Sequence, residues 1–156
     1  MGKIIAIANQ KGGVGKTTTA VNLGAALGVL EKKVLLIDAD PQANATSGLG
    51  VDVDSVKYGT YQLLEHSISL EDAIVSTHSP NLDLIPSHID LVASEIELVD
   101  KVSREYMLKK ALKESIGKYD YILLDCAPSL GLITLNSLVA ANATREFKVK
   151  IGRAHV

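Results

Sequence analysis

The sequence has little sulfur and few aromatic residues, and it contains no long apolar run. Its 156 residues include one cysteine, Cys126, one phenylalanine and no tryptophan. A single cysteine excludes an internal disulfide, and its place beside a strand-type run favours a small buried residue over a reactive thiol. No apolar stretch reaches the ~20 residues of a membrane-spanning helix, and no signal-like segment precedes the first apolar run. We therefore expect a cytoplasmic protein with no membrane partner.

The sequence also lacks a metal-binding histidine pattern and an excess of basic charge. Its four histidines are scattered without ligand spacing, which argues against a zinc site. The net charge of −2 gives no overall attraction to nucleic acid. Residues 1–100 hold 6 Lys+Arg against 13 Asp+Glu, a net −7, while residues 101–156 hold 10 against 5, a net +5. Within the basic part only Lys109, Lys110 and Lys113 form a cluster worth testing for DNA, and a solvated helix surface is the simpler interpretation.

The apolar residues that are present follow an alternating strand and helix pattern. Hydrophobic residues make up 47% and charged residues 22% of the chain, which fits one globular α/β domain. Continuous apolar runs typical of buried parallel strands predict strands at 4–8, 33–37, 81–86 and 119–125. Helical spacing and capping signals predict helices at 16–30, 60–65, 69–76, 91–116 and 132–143. The glycine-containing segment 42–61 is predicted to be a surface loop.

A glycine-rich segment joins the first strand to the first helix. Gly12, Gly13 and Gly15 allow the backbone to turn tightly and to bring its N–H groups close to an anion. Lys16 adds a positive charge, and the Thr17 hydroxyl at the helix start can ligate Mg²⁺. We interpret the segment as a phosphate-binding loop for a triphosphate, the alternative being a plain turn.

This loop departs from the strict pattern G-x-x-x-x-G-K-[ST]. Gln10 stands where the first glycine would be, and an additional lysine, Lys11, precedes the doubled glycine. The loop is therefore a deviant one.

Acidic residues follow two of the predicted strands. Asp38 and Asp40 come directly after the second strand, and Asp125 ends the fourth. Ligands of open α/β folds bind at the carboxyl ends of the strands, so we expect these acids to face the phosphate-binding loop. The alternative for Asp-Ala-Asp-Pro is a turn that Asp38 caps.

Three segments carry further information, namely Lys-Gly-Gly-Val-Gly-Lys-Thr-Thr at 11–18, the segment 34–50 and the segment 121–131. Together they resemble the ParA/Soj family of chromosome and plasmid partitioning ATPases with a deviant Walker A motif, and the resemblance covers about residues 2–142. It implies a three-layer P-loop NTPase fold with a mainly parallel sheet, here truncated after about four strands. Residues 1–143 would be the N-terminal part of the domain. Residues 144–156 do not match the family, and 150–156 look like a translated sequencing adapter, so we treat this tail as an artefact.

The resemblance also implies roles for individual residues. Lys11 would reach across a dimer to the partner's nucleotide, and Asp40 would position the attacking water, so that Lys11, Lys16 and Asp40 are the catalytic residues. Mg²⁺ would be held by Thr17, Asp38 and Asp125. Ala127-Pro128 stands where the family commonly has Pro-Pro, which leaves the chemical groups intact. The residues implied to bind the nucleotide are Lys11, Gly12, Gly13, Val14, Gly15, Lys16, Thr17 and Thr18.

The function implied by the resemblance is an ATP-dependent partitioning protein. It would use ATP and Mg²⁺, form an ATP-dependent homodimer, bind nucleoid DNA non-specifically through a C-terminal half absent here, and respond to a ParB/Spo0J-like centromere-binding protein. Alternatives are a MinD-like cell-division positioning ATPase and an inactive nucleotide-binding fragment. A reductase of the nitrogenase iron-protein type is disfavoured, because one cysteine cannot assemble a cluster site.

Overall fold

The computed structural model describes residues 2–8, 15–113 and 115–141, and within these ranges five strands form a single sheet. The strands are β1 (Lys3–Ile7), β2 (Val34–Ala39), β3 (Val75–Ser76), β4 (Leu82–Ile85) and β5 (Tyr121–Cys126). Their spatial order is β1-β5-β2-β4-β3. The β1–β5, β5–β2 and β2–β4 pairs are parallel, and β3 lies antiparallel to β4. The prediction of an α/β fold with a mainly parallel sheet is confirmed.

Helices cover both faces of the sheet. They are α1 (Lys16–Val29), α2 (Asn44–Gly48), α3 (Thr60–Leu64), α4 (Leu70–Ala73), α5 (Ser94–Glu97), α6 (Met107–Leu112) and α7 (Leu132–Ala140). One core cluster includes Ala20 of α1 and alternate residues of the central strands, such as Leu36 and Leu123. The other contains the intervening residues, such as Leu35 and Leu124, packed with residues of α3, α4, α6 and α7. All six residues of β2 are buried, as expected for a central strand covered on both faces.

The strand register brings the acidic strand ends together. Asp38 of β2 lies directly opposite Asp125 of the neighbouring β5, and Asp125 also pairs with Ile7 of β1. Because side chains alternate along a strand, Asp38 and Asp125 project to the same face as Leu36 and Leu123, which is the face covered by α1. The sheet therefore directs both carboxylates toward the start of α1.

The structure corrects three of the predicted elements. Segment 42–61 is not one loop, because it contains α2 and a 3₁₀ turn at Val53–Ser55. Segment 69–76 is helical only in α4, and it ends in the edge strand β3, the fifth strand that was not predicted. The predicted helix 91–116 is broken into α5, α6 and the 3₁₀ turns Ile89–Ala93 and Arg104–Tyr106.

The break in the predicted helix 91–116 has a physical cause. Its apolar residues do not form the predicted single buried stripe, since Ile96 and Val102 are 76% and 89% exposed. Ser103 has a left-handed backbone, with φ of 57°, which a continuous α-helix does not allow. The helical spacing of these apolar residues was therefore misleading.

The remaining elements agree with the predictions within a few residues. The predicted strands and the helices 16–30, 60–65 and 132–143 are confirmed as β1, β2, β4, β5, α1, α3 and α7. Across the described residues, none of the helices has the length and apolar character to cross a membrane. The tail predicted at 144–156 lies outside the described residues.

Candidate functional site

The first turn of α1 meets the end of β5 through two polar side chains. Lys16 Nζ lies 2.9 Å from Asp125 Oδ1 and forms a buried ion pair with it. The Thr17 hydroxyl donates a hydrogen bond to Asp125 Oδ2, also at 2.9 Å. Gly15 precedes the helix with a left-handed φ of 78°, which a residue with a Cβ rarely adopts. Both oxygens of Asp125 are thus held by the segment that the sequence predicts to bind phosphate.

Burial dominates the electrostatics of Asp125. The carboxylate is fully buried, and Lys16 is only 7% exposed. Desolvation raises the pKa of Asp125 above its ordinary value, although the charge and hydrogen bonds of Lys16 and Thr17 act in the opposite direction. The ion pair therefore does not fully offset the loss of water around the carboxylate.

Asp38 lies beside Asp125 but has different partners. Its Oδ2 accepts hydrogen bonds from the Thr46 hydroxyl at 2.7 Å and from the Thr46 backbone N–H at 2.9 Å. Its Oδ1 accepts a longer bond, of 3.2 Å, from the backbone N–H of Asp40. Burial raises the pKa of Asp38 to about 7, and the nearby charge of Asp125 adds to the increase. In this structure Asp38 is therefore bound to α2, whereas Asp125 is bound to α1.

Asp40 is buried at the start of the loop that leads to α2. Its Oδ1 accepts a hydrogen bond from the backbone N–H of Gln42 at 3.0 Å. Its carbonyl oxygen accepts bonds from the Ala43 N–H at 2.9 Å and from the Ser87 hydroxyl at 2.7 Å. Only 5% of Asp40 is exposed, yet the negative charge of its carboxylate contributes to the raised pKa of Asp125. Asp38 near the end of β2, Asp40 just after β2 and Asp125 near the end of β5 thus form one electrostatic group.

The described residues include only part of the predicted site. The structure brings Lys16 and Thr17 against Asp125, with Asp38 in the adjacent register position. Thr18 lies in the first turn of α1. The roles of these residues toward a nucleotide stay predictions. Four residues of the predicted loop, the signature lysine Lys11 among them, lie outside the described residues, and they are Lys11, Gly12, Gly13 and Val14.

Sequence reasoning missed three buried hydroxyl residues next to the acids. All three are fully buried, and they are Thr46, Thr60 and Ser87. The Thr46 hydroxyl donates to the Asp38 carboxylate, and the Thr60 hydroxyl donates to the Asp38 carbonyl oxygen. The Ser87 hydroxyl donates to the Asp40 carbonyl oxygen. Thr46 belongs to one of the three segments that carry the family resemblance, but neither its spacing nor its residue type pointed to the acids. Serine and threonine are common in loops, so these residues gave no distinguishing signal.

The donor atoms at this site fit a hard divalent cation. Mg²⁺ prefers oxygen ligands and usually takes one or two carboxylates together with substrate phosphates and water. Asp125 and Asp38 supply buried carboxylates, and Thr17 supplies a hydroxyl oxygen at the same strand end. Among the residues that the structure describes, no three acidic, histidine or cysteine side chains converge to hold a metal by themselves. The arrangement therefore suits a cation that also binds phosphate.

The excess of negative charge supports the same conclusion. Within the described ranges, the ion pairs give these acids a single basic partner, Lys16. Burial raises the pKa values of both Asp38 and Asp125, which means that their charged forms are poorly neutralised. A bound cation would stabilise both carboxylates.

Comparisons with known proteins agree with this geometry. Residues 2–144 match a family model described as an AAA domain. The sporulation initiation inhibitor protein Soj of Bacillus subtilis (strain 168) is 55% identical over 143 residues, which cover 92% of this chain and 56% of Soj. The chromosome partitioning protein ParA of Myxococcus xanthus (strain DK1622) is 47% identical over 143 residues, which cover 92% of this chain and 50% of that protein.

A similar solved structure carries a nucleotide and a metal. Cobyrinic acid a,c-diamide synthase from Mycobacterium smegmatis, with bound ADP and magnesium, has a TM-score of 0.88 and 43% identity. The match covers 90% of this chain and 57% of that one. The same protein with a bound ATP analog and magnesium also gives a TM-score of 0.88.

The fold, the site and the family match together define an AAA-domain protein of the P-loop type, and the chain belongs to that family. Within it, the similarity to Soj and ParA makes the chain a member of the ParA/Soj partitioning family. The chain spans about half the length of the curated relatives it matches.

Proposed function

We propose that this chain provides the ATP- and Mg²⁺-binding part of a ParA/Soj-like partitioning ATPase. The observation that carries the proposal is the buried contact of Lys16 and Thr17 with Asp125. This contact joins the N-terminus of α1, which is predicted to bind phosphate, to a carboxylate at the end of a strand. Two supporting facts are the 55% identity to Soj and the nucleotide and magnesium bound by a similar structure. The proposed reaction is hydrolysis of ATP to ADP and phosphate.

Each side chain of the site would have a separate task. Mg²⁺ would be held by Thr17, Asp125 and Asp38, and when bound it would neutralise charge on the phosphates. Lys16 would bind phosphate oxygens as a point charge, which requires its ammonium group to leave Asp125 or to be shared with it. Nucleotide and Mg²⁺ would thereby replace an internal ion pair with a larger set of charge interactions.

Asp40 would orient the attacking water. A carboxylate can accept a hydrogen bond from water and hold it in line with the γ-phosphate. Asp40 suits this role because its backbone is fixed by Ser87 and Ala43, so the side chain starts from a defined position. Lys11 and the glycines Gly12, Gly13 and Gly15 would complete the phosphate site, as the family resemblance implies.

The wider activity belongs to the whole protein and rests on its relatives. We propose an ATP-dependent homodimer that binds nucleoid DNA non-specifically and responds to a ParB/Spo0J-like partner, in the cytoplasm. The similar structure is named as a cobyrinic acid a,c-diamide synthase, which suggests another reaction. That protein is 43% identical to this chain, which is less than the 55% of Soj and the 47% of ParA. Partition is therefore the favoured function, whether chromosomal or plasmid.

The test is nucleotide binding and turnover in site variants. Lys16→Ala should abolish binding of a fluorescent ATP analogue, because it removes the phosphate-binding charge. Asp40→Ala should keep the analogue bound but stop phosphate release, so that an ATP-bound dimer accumulates in gel filtration. The matched controls are the exposed residues Lys32 and Asp54, whose alanine variants should behave like the wild type.

Binding assays separate the alternatives. A partitioning protein should co-sediment with DNA when ATP is present, whereas a MinD-like protein should co-sediment with anionic phospholipid vesicles instead. An inactive fragment would bind ATP without phosphate release even when DNA and the partner are added. Normal nucleotide binding and turnover in both Lys16→Ala and Asp40→Ala would refute the assigned roles.

A further inference from the structure

Two buried hydroxyl groups connect the acids of the site to the segment after β4. The Thr46 hydroxyl donates to Asp38 Oδ2 at 2.7 Å and accepts from the backbone N–H of Ser87 at 2.9 Å. The Ser87 hydroxyl in turn donates to the carbonyl oxygen of Asp40 at 2.7 Å. A continuous set of hydrogen bonds therefore runs from Asp38 through Thr46 and Ser87 to Asp40.

Every member of this set is withdrawn from water. Asp38, Thr46 and Ser87 are fully buried, and Asp40 is 5% exposed. In such surroundings a polar group that loses its partner cannot turn to solvent, so the arrangement tolerates few alternatives. The Thr46 hydroxyl donates its single proton to Asp38 and accepts the Ser87 N–H with a lone pair. It therefore links helix α2 to both the end of β2 and the segment after β4.

We propose that Thr46 and Ser87 are positioning residues for ATP hydrolysis: Thr46 fixes the Asp38 carboxylate, and Ser87 fixes the backbone of Asp40. The inference rests on the function proposed above, in which Asp40 orients the attacking water. Neither hydroxyl bonds to Lys16 or Thr17, whose contacts with Asp125 hold the phosphate end of the site. Loss of the Thr46 hydroxyl should therefore impair the hydrolytic step much more than nucleotide binding, because the Thr46 backbone N–H would still hold Asp38 Oδ2 as a metal ligand.

Thr46→Val is the informative variant, because valine keeps the shape of threonine and removes only the hydroxyl. It leaves the Ser87 N–H without its acceptor and removes one of the two bonds to Asp38 Oδ2. A displacement of about 1 Å in a reacting group can lower a rate about 100-fold. We expect kcat to fall between about 10- and 100-fold, with the affinity for ATP changing less than about threefold.

Two other variants show whether the hydroxyl itself is responsible. Thr46→Ser retains the hydroxyl and should keep most of the wild-type kcat. Thr77→Val also removes a threonine hydroxyl. This hydroxyl lies away from the acids of the site and donates to the Leu82 carbonyl oxygen at a distance of 2.7 Å. Thr77→Val should lower stability by removing this bond and should leave kcat and ATP affinity unchanged.

Amide hydrogen exchange measured by NMR provides a readout that does not need activity. In the wild type and in Thr46→Ser the Ser87 N–H should be protected, because the hydroxyl at 46 accepts its proton. In Thr46→Val its exchange should accelerate more than that of the Leu36 N–H in the central strand. Equal protection of Ser87 in all three proteins would contradict the role of Thr46 as the link.

The outcomes distinguish this inference from the function on which it rests. A wild type that binds no ATP overturns the proposed function and this inference with it. A wild type that hydrolyses ATP while Thr46→Val does so equally fast overturns only the inference. A parallel loss of affinity and kcat in Thr46→Val and Thr46→Ser would also overturn it, since general destabilisation would then explain the effect.

Discussion

The raised pKa of Asp38 predicts a specific dependence of stability on pH. The carboxyl has a pKa of about 7 in the folded protein and an ordinary value of 3.8, because burial disfavours its charged form. Between these values the folded state binds more protons than the unfolded state, so the free energy of unfolding falls as pH rises. Below 3.8 and above 7 the contribution is constant. Asp38→Asn should remove this dependence.

The size of the effect follows from the difference of about 3 pKa units. Each unit corresponds to about 1.4 kcal/mol, so the charged Asp38 lowers the free energy of unfolding by up to about 4 kcal/mol between pH 4 and pH 8. As pH rises from 4 to 8, the free energy of unfolding of Asp38→Asn should increase by about 4 kcal/mol relative to that of the wild type. The change with pH is more informative than the value at one pH. If Asp38→Asn loses a hydrogen bond with Thr46, the loss lowers the free energy of unfolding by the same amount at every pH.

Urea unfolding at pH 4, 6 and 8, with EDTA and without nucleotide, measures this difference. The exposed Asp54 provides the control, since Asp54→Asn should follow the wild-type curve at a constant offset. A constant offset for Asp38→Asn would refute the reasoning. Added Mg²⁺ and ATP should reduce the advantage of Asp38→Asn at pH 8 if the metal binds near this carboxylate.

Two further predictions concern packing. A Cβ on Gly28 would collide with the carbonyl oxygen of Pro80, whereas one on Gly24 would lie 3.1 Å from the movable end of Leu82. Gly28→Ala should therefore be less stable than Gly24→Ala by about 2 kcal/mol in urea unfolding, although both gain helix propensity. Burial raises the pKa of the Cys126 thiol to about 12, so this fully buried cysteine should react with Ellman's reagent at pH 8 only after urea is added.

The sequence allowed the site to be predicted where the chemistry is local. A strand, a glycine-rich loop and a helix start have to be contiguous to bind phosphate, so Lys16 and Thr17 could be identified together. Asp125 could be assigned because the carboxyl ends of parallel strands meet at one edge of the sheet. The contact of Lys16 with Asp125, 109 residues apart, agrees with that reasoning.

The parts that could not be predicted depend on contacts between distant segments. The predicted helix 91–116 has apolar residues at nearly helical spacing, but in the structure it is broken, and Glu95 of its α5 part accepts hydrogen bonds from the backbone N–H groups of Leu132 and Ile133 at the start of α7. That pairing joins segments 37 and 38 residues apart in sequence, and no local pattern contains it. The edge strand β3 is two residues long, which is too short for alternation to be visible.

The proposed function gives a physical reason for placing acids in a buried site despite their cost. Asp38 and Asp125 are buried near the ends of apolar strands, and their raised pKa values mean that the hydrogen bonds and the ion pair within the protein stabilise neither charge fully. Lys16 alone would be expected to compensate one carboxylate, and it is the same residue that a phosphate group would attract. Under the proposed function, a nucleotide bound with Mg²⁺ would remove both deficits, since the metal would neutralise the acids and the phosphates would bind Lys16. The poor compensation of these acids by the protein's own groups would then favour nucleotide binding, and variants that relieve it, such as Asp38→Asn, should gain stability while they lose affinity for ATP and Mg²⁺.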